Sequence, residues 1–138
     1  MKLLIDTNVI LDACLSRAPW HESAEQVILA CAAEKAVGCV TASSVTDIYY
    51  VLRKDLRSAE QAKQAVLKII TLLDVLDVTG TDCERAFDLP MPDYGDALMA
   101  YCAKRHRADC IVTRNPKHFE GSPVKIVSPE DALKQLSL

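Results

Sequence analysis

The chain of 138 residues fits one domain with enough core to fold alone. Half of its residues are hydrophobic and a quarter charged, which is ordinary globular composition and argues against a low-complexity chain. A net charge of −3 and a pI of about 5.6 exclude a global basic field, so any nucleic-acid contact must rest on local clusters.

Taken in order, Leu3-Leu4-Ile5 runs straight into Asp6-Thr7-Asn8. So short an apolar run reads as a strand buried on both faces, as in a parallel sheet covered by helices. Asp6 then falls just past the strand's carboxyl end, where such sheets bind ligands. The competing reading makes Asp6-Thr7-Asn8 a polar turn that caps the next helix. Val9 to Leu15 reads as a short helix with Asp12 and Arg17 on polar positions, broken by Ala18-Pro19-Trp20. A helix from about His21 to Lys35 carries Ala24, Val27, Ile28, Cys31 and Ala32 at helical spacing. Ala36 to Thr41 reads as a second buried strand.

Ser43 and Ser44 are expected to cap a helix whose stripe is Val45, Ile48, Tyr49, Leu52 and Leu56. Ser58 opens another, with Ala62, Ala65, Val66, Ile69, Ile70 and Leu73 as its stripe. Asp74 to Val78 reads as a third strand, and Thr81-x-x-Glu84 as a capping box for a helix to about Asp88. Pro90 and Pro92 mark a loop. Asp93 caps a helix with Tyr94, Ala97, Leu98, Tyr101 and Cys102 on its apolar stripe. Asp109 to Thr113 reads as a fourth strand, 114–123 as a polar loop, Val124 to Val127 as a short edge strand, and Ser128-Pro129 as the start of the last helix. Strands alternating with helices predict a single α/β domain over 1–138.

Six cysteines stand at 14, 31, 39, 83, 102 and 110, with no Cys-x-x-Cys pair to suggest a zinc ribbon. Cys31, Cys39, Cys102 and Cys110 look like small core residues. No signal peptide precedes the first strand and no apolar run is long enough to span a membrane. The expected location is therefore a reducing cytoplasm.

The acids decide what the fold is for. Asp47 lies three residues after Ser44, and Asp96 three after Asp93. Either pair alone is explained by capping and by the helix dipole. Together with Asp6, and with Thr113-Arg114-Asn115 ending strand four at the same edge, they outline one acidic site. Clustered carboxylates repel unless a proton or cation compensates, and oxygen ligands of this kind suit Mg²⁺ or Mn²⁺. Such an ion lowers the pKa of bound water and neutralises phosphoryl charge. His21, His106 and His118 read as solvated. Basic residues gather at Arg53-Lys54-Arg57, at Lys104-Arg105-Arg107 and at Arg114-Lys117; the last pair lies beside the acids and is the candidate for phosphate contact. Tyr50, turned away from the core stripe that holds Tyr49, is a candidate to stack a base.

Four segments in this order resemble a PIN-domain ribonuclease: Leu4-Ile5-Asp6-Thr7-Asn8, Asp47-Ile48-Tyr49-Tyr50-Val51-Leu52, Asp93-Tyr94-Gly95-Asp96-Ala97-Leu98 and Ile111-Val112-Thr113-Arg114-Asn115. The resemblance implies a three-layer α/β sandwich with a central parallel sheet of four to five strands flanked by helices. It implies endonucleolytic cleavage of single-stranded RNA at an acidic Mg²⁺ or Mn²⁺ site. Asp6 would be the central metal ligand, Asp47 would fill a position that is commonly Glu, and Asp96 would be the third acid. Thr7, Asn8 and Thr113 would orient ligands and water. Asn115 stands where the family often carries a fourth acid, a loss that Asp93 would offset. The chain's size resembles the toxin half of VapC-type toxin–antitoxin pairs, which implies an antitoxin partner and a homodimer.

Two other readings compete. A phosphatase with a nucleophilic Asp would show Asp-x-Asp, and Asn8 stands at the second acid. A PIN-like module that binds RNA or protein without cutting would follow if Asn115 weakens the metal site.

Overall fold

The computed structural model describes residues 1–137. Its elements run β1 (Lys2–Ile5), α1 (Thr7–Cys14), α2 (His21–Ala32), β2 (Val37–Thr41), α3 (Ala42–Leu56), α4 (Ala59–Leu72), β3 (Asp74–Leu76), α5 (Gly80–Arg85), α6 (Tyr94–Arg105), β4 (Cys110–Val112), β5 (Lys125–Val127) and α7 (Pro129–Leu136). Short 3-10 turns follow α5 at Ala86–Asp88 and β4 at Pro116–Phe119. The five strands pair in parallel in the order β3-β2-β1-β4-β5.

The burial pattern explains why β1 is apolar at every step. Leu3 and Ile5 enter one core with Val40, Cys110 and Val112 of the neighbouring strands, under side chains of α1, α2, α3, α4 and α7. Leu4, between them, points the other way. It joins Cys39, Ile111, Met99, Ala100, Ala103 and Phe119 in a second core beneath α6. The two cores make the three layers. The four cysteines read as core residues are buried, and all six are free thiols.

Gly38 shows how closely the helical layer approaches. A Cβ there would stand 2.6 Å from both Cys31 Sγ of α2 and Leu73 Cδ2 at the end of α4. Gly38→Val is therefore expected to lower stability by about 1–3 kcal/mol through overpacking. The denaturation midpoint reads this; an unchanged midpoint would show that α2 can withdraw from the sheet at no cost.

Three local expectations fail. Ser43 and Ser44 do not cap α3. The helix starts at Ala42, directly off β2, with Thr41 as its N-cap, and Ser44 Oγ bonds Thr41 Oγ1 at 2.8 Å. Asp47 thus sits in the second turn of α3, not the first. The capping box of α5 uses Thr79 and Asp82 rather than Thr81 and Glu84. Asp12, placed on a polar position of its helix, is 1% exposed.

Candidate active site

The order of the strands places a crevice. From β1 the chain builds outward through β2 and β3, then returns to lay β4 on the other side of β1. Ligands of open parallel sheets bind outside the carboxyl ends of the strands where this reversal occurs, here between β1 and β4. Asp6 ends β1 and Thr113 ends β4. Asp6 N–H donates to Val112 O at 2.9 Å, and Thr113 Oγ1 donates to Asp6 Oδ2 at 2.8 Å. Thr113 is fully buried, and its hydroxyl accepts from Asn115 N–H at 3.0 Å. Asn115 is fastened to Asp6 through that one hydroxyl.

Asp6 occupies the N-cap position of α1 but caps nothing with its side chain. Its backbone carbonyl starts the helix, accepting from Val9 N–H at 3.0 Å. The carboxylate is left for another purpose. Burial pushes its pKa up, against the Thr113 hydroxyl, the Thr7 amide, and the charges of Arg114 and His118.

Asp96 comes from the opposite layer. Asp93 caps α6, accepting Asp96 N–H at 2.9 Å through Oδ2. The reverse bond that completes the Thr79–Asp82 box is not made by Asp96 among the described residues. Asp96 remains half-buried with its carboxyl pushed up to about 6, first by burial, then by the negative charges of Asp93 and Asp6, with His118 pulling down. Asp6, Asp96 and Asp93 therefore sense one another electrostatically. Thr7 and Asn8, half-buried, begin α1 alongside.

Asp47 is exposed on α3 and makes no hydrogen bond or ion pair among the described residues. The structure does not join it to the Asp6–Asp96 pair. Lys117 is exposed on the 3-10 turn after β4. Arg114 has a more definite place: its Nε donates to Asp12 Oδ2 at 2.7 Å, and its guanidinium lies 3.9 Å from the centroid of the Trp20 ring. The reading of residues one by one missed His118, whose imidazole favours the ionised form of both acids when protonated. Its position three residues beyond Asn115, in the loop leaving β4, was the available signal.

Hard cations prefer such oxygen donors, and Mg²⁺ often takes one or two carboxylates and keeps water in the rest of its shell. Among the described residues, no three His, Cys, Asp or Glu side chains are grouped to hold an ion by themselves. Asp6 and Asp96 match the two-carboxylate pattern, and the repulsion of Asp96 by Asp93 and Asp6 is what a cation would relieve.

A family model for the PIN domain matches residues 2–117. The chain is 24% identical over 135 residues to ribonuclease VapC1 of Aquifex aeolicus (strain VF5), spanning 94% of this chain and 92% of that protein. DNA-bound VapBC from Salmonella typhimurium shares 21% identity at a TM-score of 0.72, over 94% of this chain and 98% of the other. VapC20 of Mycobacterium tuberculosis, a sarcin-ricin loop cleaving toxin, shares 16% identity at a TM-score of 0.63, over 79% and 86%. At these identities the structural likeness speaks for the fold.

Proposed function

Since this chain belongs to the PIN domain family, we propose that it is a metal-dependent endoribonuclease that cuts single-stranded RNA at the Asp6–Asp96 edge. The observation that carries the reading is the convergence of two carboxylates from opposite layers on the β1–β4 crevice, one freed from capping and the other raised by its neighbours. The likeness to ribonuclease VapC1 supports it.

In this reading Asp6 and Asp96 hold Mg²⁺ or Mn²⁺, with Asp93 adding negative charge. A bound ion would supply a low-pKa water and charge neutralisation at the phosphodiester. Thr113 fixes the rotamer of Asp6, and Asn115 rides on Thr113, so the ligand geometry is set before substrate arrives. Arg114 and Lys117 offer positive charge to the scissile phosphate. Asp47, exposed on α3, is left without a part in this reading.

A VapBC-like pairing extends the reading to a protein partner, and homodimerisation goes with it. Leu29 of α2 and Leu67 and Ile70 of α4 are 58%, 43% and 39% exposed, apolar surface of a kind that protein partners cover. No helix among the described residues is long and apolar enough to cross a membrane.

The direct test incubates purified protein with a mixed single-stranded RNA pool in Mg²⁺ or Mn²⁺, with chelator and with Asp96→Asn. Metal-dependent cutting that chelator abolishes, and that Asp96→Asn reduces by about 100-fold or more, is the expected result. Asn115, an amide at a position where charge would help, favours a second reading in which the fold binds RNA without cutting. RNA binding with no cleavage in either metal, by folded protein free of any partner, would establish that reading instead.

A further inference from the structure

We infer that Trp20, with Arg114 stacked on it, forms a platform for an unpaired base of the RNA strand next to the scissile phosphate, and that buried Asp12 positions it. The inference rests on the nuclease reading and adds a subsite to it. Arg114 follows Thr113, the residue bonded to Asp6, so its backbone is fixed to the acidic edge. Its side chain leaves that edge and places its guanidinium carbon over the Trp20 ring, 3.9 Å from the ring centroid, at the N-cap of α2. Trp20 is 40% exposed, so part of its ring is open to a ligand.

Asp12 is what makes the arrangement rigid. At 1% exposure its carboxylate must be paired, and Arg114 Nε binds its Oδ2 at 2.7 Å while Arg17 Nη1 stands 3.8 Å from Oδ1. Oδ1 accepts no hydrogen bond among the described residues. A carboxylate buried with one oxygen unsatisfied is a poor way to add stability, since an apolar side chain of similar size would serve as well or better. It is a good way to hold a guanidinium in one orientation. Among the described residues only Nε of Arg114 is engaged by a hydrogen bond, and the terminal nitrogens remain for a phosphate oxygen. A guanidinium over an indole, beside an edge that in this reading handles phosphodiesters, is the combination that binds single strands: stacking for any base, charge for the backbone. This assigns the stacking role to Trp20 rather than to Tyr50, which packs edge-on against Tyr49 on α3.

Trp20 is the sole tryptophan, so its emission reports this place alone. Titration of the full chain with a cleavage-resistant phosphorothioate single-stranded RNA oligomer should quench that emission, with the midpoint given by anisotropy of the labelled oligomer. Trp20→Leu should raise KM by roughly tenfold or more with a smaller change in kcat, and Trp20→Phe should restore most of the loss. RNA that binds by anisotropy while leaving the emission unchanged overturns the platform and leaves the nuclease reading intact, as does a Trp20→Leu protein with unaltered KM. Should Trp20→Leu fail to fold by far-UV circular dichroism, the emission of the wild-type chain decides. An oligomer that does not bind at all, with an uncut RNA pool, overturns the nuclease reading and the platform with it.

Discussion

Asp6→Asn is expected to reduce RNA cleavage by at least about 100-fold, beyond the roughly 10–100-fold typical when only a residue supporting a metal ligand is lost. The same substitution should leave the melting temperature unchanged or raise it. Both halves follow from where the carboxylate sits. It is 6% exposed, and burial raises its pKa despite the Thr113 hydroxyl, the Thr7 amide, Arg114 and His118. A raised carboxyl pKa means that the ionised form is disfavoured in the folded chain relative to the unfolded one. At neutral pH the charge therefore subtracts from stability, and the neutral amide of Asn removes that cost. Its carbonyl oxygen can still accept from Thr113. A carboxylate that costs stability where it stands, and whose side chain caps nothing, has its charge to offer to the proposed chemistry. Rate measurement with a thermal melt checks both halves. Wild-type cleavage by Asp6→Asn would remove Asp6 from the site, and a large drop in melting temperature would return it to a structural role.

The parts legible in the sequence were those set by short-range physics. A strand covered on both faces must be apolar at each position, so Leu3-Leu4-Ile5 identified β1 and put Asp6 at its end. Asp93 capping α6 was equally plain, and it placed Asp96 in the first turn. Harder to read were choices between equivalent local signals. Thr79-x-x-Asp82 and Thr81-x-x-Glu84 overlap in the same helix start, and what selects the first is Arg105, 23 residues beyond Asp82. Ser43 and Ser44 look like caps, but β2 turns into α3 without a loop, and Thr41 takes the position. Asp12 was misread because an acid on a short helix defaults to solvent. Its partner Arg114 lies 102 residues away, and a similarly long separation in sequence hid the contact of Arg114 with Trp20. The acidic edge was thus visible as a list of carboxylates with Arg114 and Lys117 beside it, whereas the partners that hold Arg114, Asp12 and Trp20, were not.

Asp82→Asn should cost about 2–3 kcal/mol at neutral pH, or roughly 5–10 °C in melting temperature for a chain of this size, by breaking a buried ion pair. Asp82 is fully buried between α5 and α6. Arg105 donates to it twice, Nε to Oδ1 and Nη2 to Oδ2, each at 2.7 Å, and Thr79 N–H donates to Oδ2 at 2.9 Å. The same guanidinium also reaches Asp77 O at 2.9 Å, binding the end of α6 to the segment before α5. Burial alone would raise the Asp82 pKa, but the Arg105 and Thr79 hydrogen bonds and the Arg105 charge outweigh it and bring the carboxyl from 3.8 down to about 2. A carboxyl depressed in the folded state stabilises the fold above its unfolded pKa and loses that contribution as pH falls through the folded value. The contribution is fully present above about pH 4 and gone near pH 2, and its size, about 2 kcal/mol, agrees with the mutational estimate. The cost falls at the low end for a buried pair because Arg105, 34% exposed, keeps water when its partner is removed. Melting temperatures of wild type and Asp82→Asn should therefore differ by a constant amount from pH 7 to about pH 5 and converge as pH approaches 2. A gap that persists to pH 2 would assign the loss to packing and capping instead of the ion pair. Because α6 carries Asp93 and Asp96 at its other end, well folded Asp82→Asn should keep cleaving RNA below its lowered melting temperature, which separates the clamp from the chemistry.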